Sequence, residues 1–167
     1  ATRGQLNIYA KRLAATPLLQ TFDLKIINAG VGGNNTSLAS KRFDRDVLRH
    51  HADVIITQFG INDAAVDVWR TPPATLPRIS LKHFELNLNH FITASQSQGA
   101  QVILMTPNPI RWTSKLKTLY GKAPYVASDP DGFNKLLVNY AASVRKLANK
   151  HNVPLVDIYQ VFQDYNK

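Results

Sequence analysis

The feature that most constrains this chain is an alternation of two hydrophobic patterns. Short runs rich in branched apolar residues have the length and composition of buried strands: Val54-Ile55-Ile56-Thr57-Gln58-Phe59, Gln101-Val102-Ile103-Leu104-Met105 and Val153-Pro154-Leu155-Val156-Asp157. Leu24-Lys25-Ile26-Ile27-Asn28 is a further, shorter one. Longer segments between them repeat apolar residues every three or four positions, the period of a helix. A parallel strand needs a long crossover, usually a helix, to return to the same end of its sheet. Strand and helix taking turns therefore predict a parallel sheet wrapped by helices, in one α/β layer sandwich.

The helical segments carry their own start and stop signals. Leu6, Tyr9, Ala10 and Leu13 share a face ahead of Pro17. Thr36 or Ser37 can cap a helix bearing Leu38, Phe43, Val47 and Leu48. Ser80 is placed to cap a helix with Phe84, Leu88, Phe91 and Ile92 on one face, and Gly99 closes it. Asp131 opens the clearest periodicity, with Phe133, Leu136, Leu137, Tyr140, Ala141, Val144, Leu147 and Ala148 in phase. Two stretches have no period. Thr71-Pro72-Pro73 to Pro77 is a proline-rich loop, and residues 110–130 are long enough to suggest a functional lid.

Composition removes several classes of function. With 44% hydrophobic and 19% charged residues in 167, the chain reads as an ordinary globular domain. It has no cysteine, which excludes disulfides, thiolate catalysis and cysteine-ligated zinc. A net charge of +9 raises the possibility of a polyanionic partner. The cations are scattered from Arg3 to Lys167, however, and in the densest helical group Asp44 and Asp46 lie among Lys41, Arg42, Arg45 and Arg49. No recognition motif accompanies the charge, so nucleic acid is not the expected partner. No apolar run approaches the roughly 20 residues needed to span a bilayer. Ala1-Thr2-Arg3-Gly4-Gln5 is too polar for the apolar stretch of a signal peptide, and neither observation assigns a compartment.

In open α/β sheets ligands sit at the carboxyl ends of the strands. Two such ends are unusual here: Asn28-Ala29-Gly30-Val31-Gly32-Gly33-Asn34-Asn35-Thr36 and Gly60-Ile61-Asn62-Asp63. Glycines ahead of a helix let the backbone turn tightly and present its N–H groups to a ligand. Asn62, directly after a strand, adds a side-chain amide at the same rim. A backbone N–H together with an Asn amide is a plausible oxyanion hole, the donor pair that stabilises charge growing on a carbonyl oxygen. Other readings exist for each part. Gly30-x-Gly32 after a strand could begin a dinucleotide fingerprint, but its third glycine would fall on Asn35. Asn62-Asp63 alone could simply begin a short helix, and Asp63 is expected to be structural rather than catalytic.

These two segments resemble the second and third blocks of the SGNH (GDSL-type) hydrolase family. Asn28 to Gly33 matches the Asn-x-x-x-x-Gly turn, and Gly60, Asn62 and Asp63 match Gly-x-Asn-Asp. The resemblance runs from Leu6 onward. It implies a three-layer α/β/α sandwich with a flavodoxin-like parallel sheet, as a single domain over residues 1–167. It also implies ester hydrolysis through a serine acyl-enzyme, with the Gly33 N–H and the Asn62 amide as oxyanion donors. No metal or cofactor is implied.

The family's other two blocks are not in the sequence. There is no Asp-Ser pair, and no Asp is followed three residues later by His; Asp157 has Gln160 there. The five histidines, His50, His51, His83, His90 and His151, fall within or beside predicted helices and none is carried over as the base. The expectation is that the nucleophile and base lie in parts of the protein beyond both ends of this sequence. A catalytically inactive glycan-binding module is the alternative if they do not. Substrate contacts are expected from Asn34 and from Arg111, Trp112 and Tyr125 in and beside the aperiodic segment. An aromatic platform and cations suit a sugar ring and an acidic group, so among the substrates that the resemblance implies, acetyl or short acyl esters of carbohydrates are the expected ones.

Overall fold

The computed structural model describes residues 24–165 together with residues 12, 15–17 and 21. The chain divides into two compact units, residues 1–34 and 35–167. The helix expected on Leu6, Tyr9, Ala10 and Leu13 lies outside the described residues. The second unit contains α1 (Thr36–Ser40), α2 (Phe43–Asp46), a 3-10 turn (Leu48–His50), β1 (Val54–Gln58) and α3 (Ile61–Ala64). It continues through α4 (Leu81–Ser97), β2 (Gln101–Met105), α5 (Ser114–Tyr120), α6 (Asn134–His151), β3 (Leu155–Val156) and α7 (Ile158–Tyr165).

The sheet is parallel in the order β1-β2-β3. Its register pairs Val54 with Gln101 through Gln58 with Met105, and Leu104 with Leu155. Partners across a ladder share a face, so Ile55, Thr57, Val102, Leu104 and Leu155 point one way. α4 and α6 pack on each other and on β2, and Val102 and Leu104 are buried there with Phe84, Leu88, Phe91, Ile92, Leu137 and Val144. The α/β class and the parallel sheet are those the alternation predicts.

Several boundaries differ from the expectation, each for a local reason. Leu24–Asn28 has strand-like composition but among the described residues joins no ladder, and Leu24, Ile26 and Ile27 are exposed. β propensity becomes a strand only where a neighbour takes up the backbone hydrogen bonds. β3 is two residues long because Pro154 has no N–H to donate and Asp157 turns to cap α7, its Oδ1 accepting from Gln160 N–H at 3.1 Å. α1 is capped by Asn35, whose Oδ1 accepts from Leu38 N–H at 2.9 Å. Thr36 does not cap because its hydroxyl is engaged elsewhere. Ser80 caps α4 as expected, accepting from His83 N–H, and Gly99 ends it at φ +86°.

The aperiodic residues 110–130 are ordered by aromatic packing rather than by repeat. Tyr125 stacks on Phe133 at 5.3 Å between ring centroids, with Tyr120 edge-on at 5.9 Å and Trp112 tilted at 6.3 Å. The segment also holds α5, capped by Thr113. Asn134 fastens its start by a reciprocal pair, accepting from Ile110 N–H at 2.7 Å and donating to the Ile110 carbonyl at 2.9 Å.

Candidate active site

The end of β1 is built around two residues that leave little freedom. Gly60 has φ +131°, and a Cβ there would lie 2.9 Å from Pro107 Cγ. Only glycine fits this turn without strain. Three residues on, Asp63 is completely buried. Its Oδ1 accepts from Thr36 N–H at 2.8 Å and the Thr36 hydroxyl at 2.6 Å, and its Oδ2 accepts from Gly60 N–H at 3.2 Å. Burial pushes this carboxyl above its ordinary pKa, against the pull of those three donors. Asp63 therefore ties the start of α1 to the end of β1. That is the structural role expected of it.

Asn62 is half-buried at the same turn, at the carboxyl end of β1. Its Oδ1 accepts from Arg78 Nη1 at 3.1 Å. Arg78 is in turn held by Asp67, whose Oδ1 accepts from Arg78 Nε at 2.9 Å and Nη2 at 2.6 Å. Asp67 is 3% exposed and has a second cation, Arg70, at 2.7 Å from Oδ2. The hydrogen bond to Asp67 raises the pKa of Arg78 further. The backbone reinforces the placement. Arg78 N–H donates to the Ala65 carbonyl and Ile79 N–H to the Asp63 carbonyl, at 2.9 and 3.2 Å. The Tyr140 hydroxyl, its pKa pushed up by burial, donates to the Ile79 carbonyl at 2.6 Å.

The ends of β2 and β3 form a second polar junction. The buried Thr106 hydroxyl donates to Asp157 Oδ1 at 3.0 Å and accepts from Tyr159 N–H at 2.9 Å. Arg145 reaches the same carboxylate from α6, Nε to Oδ2 at 2.7 Å and Nη2 to Oδ1 at 3.0 Å. Asp157 is thus a strand-end residue occupied by structural partners.

The other sequence-predicted residues fall in different settings. In the first unit Gly33 is exposed at φ +80°, the left-handed conformation that favours glycine. The turn before it is closed by Gly30 N–H on Asn28 Oδ1 at 2.9 Å and by Asn34 N–H on the Val31 carbonyl at 3.2 Å. Asn34 itself is half-buried. In the second unit Arg111 is exposed. Trp112 is half-buried, with its Nε1–H on the Ala127 carbonyl at 3.2 Å and its ring against Gly132. Tyr125 does not form a rim. It is 2% exposed, and its hydroxyl accepts from Val66 N–H at 2.9 Å while facing the Ala64 carbonyl at 3.4 Å. Burial pushes its pKa up to about 12. An aromatic in an aperiodic segment reads as a loop residue, but here it braces the backbone that follows Asn62 and Asp63.

The whole chain, residues 1–167, matches the GDSL-like lipase/acylhydrolase family. The chain belongs to that family. Among curated relatives it is 35% identical over 143 residues to the uncharacterized lipoprotein YqeF of Bacillus subtilis (strain 168), an alignment covering 84% of this chain and 57% of that protein. Among solved structures it matches the acetylxylan esterase Axe2 of Geobacillus stearothermophilus with a TM-score of 0.73 at 20% identity, over 96% of this chain and 65% of that one. It also matches the acetyl xylan esterase AlAXEase with a TM-score of 0.63 at 27% identity, over 97% of this chain and 69% of that one. The chain therefore spans little more than half the length of its curated relative. Within this GDSL-like chain, sequence reasoning missed Asp67, Arg78 and Tyr140. Asp67 and Arg78 flank a proline-rich loop with no period, and only their opposite charges hinted at a pairing.

Proposed function

We propose that this chain is the oxyanion-stabilising part of a serine esterase that removes acetyl or short acyl groups from carbohydrate esters. The observation that carries the reading is Asn62 at the carboxyl end of β1, its amide oxygen turned to Arg78. A guanidinium can only donate, so the atom facing it is the carbonyl oxygen and the NH₂ occupies the other branch of the amide. By the family pattern that NH₂ and the Gly33 N–H are the two donors to the carbonyl oxygen of the ester. The attacking serine and its base belong to blocks that these 167 residues do not contain, and a longer protein would supply them.

In that reaction the serine oxygen adds to the ester carbonyl and passes its proton to the base. The carbonyl oxygen becomes an oxyanion, and the donors hold it most strongly in that state. Collapse expels the alcohol, which takes the proton, and water then repeats the sequence on the acyl-enzyme. The carbohydrate preference rests on AlAXEase, described as an acetyl xylan esterase, with the exposed Arg111 and the half-buried Trp112 and Asn34 as the proposed sugar contacts. In the complete protein, Asn62→Ala should lower kcat on 4-nitrophenyl acetate and on acetylated xylo-oligosaccharides by about 10²–10³-fold, with the fold intact by circular dichroism. Unchanged kcat would refute the assignment.

A further inference from the structure

Arg78 stands apart from every residue the family pattern marks, yet its guanidinium donates to the oxygen of the Asn62 amide. We infer that Arg78, locked by the buried Asp67, is a positioning residue for ester hydrolysis: it holds Asn62 Oδ1 so that the amide NH₂ is preset toward the oxyanion. The inference rests on the oxyanion reading of Asn62 given above.

Three observations carry it. The first is chemical. The two ends of a primary amide are nearly equal in shape, so an Asn side chain at a rim can rotate by half a turn at little steric cost. Arg78 opposes that rotation, because its N–H groups can only donate and so pair with the amide oxygen and not with the NH₂. The second is rigidity. The guanidinium meets Asp67 through two N–H groups at 2.9 and 2.6 Å. Its backbone is tied to Ala65, and its neighbour Ile79 to Asp63 and Tyr140. A donor fixed before the reaction spends nothing on reorganisation when charge develops. The third is polarisation. A cation on the amide oxygen draws electron density from the nitrogen and strengthens its N–H groups as donors, as in any hydrogen-bonded chain.

The sequence spacing hides this role. Arg78 lies sixteen positions from Asn62, across a proline-rich loop that returns the chain to the end of β1. Asp67 falls between them on the outgoing limb of the same loop.

A double-mutant cycle in the complete, active protein tests the inference, with kcat and KM measured on 4-nitrophenyl acetate. Arg78→Gln in the Asn62 background should lower kcat by about 10–100-fold, the usual scale for loss of an orienting partner, with KM nearly unchanged. In the Asn62→Ala background the same change should cost almost nothing further, since there is no amide left to orient. Arg78→Lys keeps a charge beside Asp67 and guards against loss of the fold, but it lacks the fork that reaches both partners; it should show most of the kcat loss. An equal loss from Arg78→Gln in both backgrounds would overturn the positioning role. So would full activity in Arg78→Lys or in Arg78→Gln while Asn62→Ala remains impaired. If Asn62→Ala itself is fully active, the oxyanion reading fails, and this inference fails with it.

Discussion

Gly60 shows how narrowly a single residue can set the candidate site. At φ +131° any L side chain is strained, and the added Cβ would press on the ring of Pro107 at 2.9 Å. Gly99 provides the contrast: it has φ +86°, and nothing lies within 4 Å of its Cβ position. Gly60→Ala should therefore destabilise by at least about 2 kcal/mol, conformational strain plus overpacking. Gly99→Ala should cost about 1 kcal/mol from strain alone. Urea denaturation of the two variants checks the ordering, and equal costs would mean that the Pro107 contact contributes nothing. Gly60 and Asn62 were legible in the sequence because Gly-x-Asn-Asp is a local pattern after a strand. Arg78 and Asp67 were not, since their contact forms only when the proline-rich loop closes. Tyr125 was legible as important but not in its role, because no periodicity marks which aromatic of residues 110–130 turns inward.

Several secondary-structure elements meet at Asp157. It joins β2 through Thr106, α6 through Arg145 and α7 through Gln160 N–H. Burial alone would push its pKa up, but Arg145, Gln160 N–H and the Thr106 hydroxyl together bring it below its ordinary value of 3.8. A carboxyl with a depressed folded pKa adds stability that is present above the ordinary value and lost as pH falls through the folded value. The stability lost in Arg145→Met should thus be largest near neutrality and should shrink as pH falls below about 4. Thermal melts of both proteins between pH 3 and pH 7 measure this, and a constant difference would exclude Asp157 as the relevant partner. Elements with strong period were read correctly, α4 with both its ends and α6 in its body. The helix expected across residues 36–48 is instead α1, α2 and a 3-10 turn. There the Thr36 hydroxyl, a candidate cap, is drawn to Asp63, a contact that spans 27 positions and no local rule anticipates.

At the scale of the whole molecule, the core and the candidate site are one construction. The layer of α4 and α6 fills the buried face of the sheet, and its aromatic centre is Phe84, wholly buried and edge-on to Tyr140 at 5.0 Å. The same Tyr140 reaches past the core to the Ile79 carbonyl, one residue from the Arg78 that holds Asn62. A helix period places Phe84 and Leu88 inward and Leu86, 55% exposed, outward on the same element. Phe84→Ala should then cost about 3–5 kcal/mol, through lost burial and a cavity beside Tyr140. Leu86→Ala should stay within about 0.5 kcal/mol of the unmutated protein. Chemical denaturation of both variants separates the faces of α4. If Leu86→Ala proved as costly as Phe84→Ala, the outward face of α4 would have to be covered in the complete protein, and the assignment of one buried face to that helix would fall.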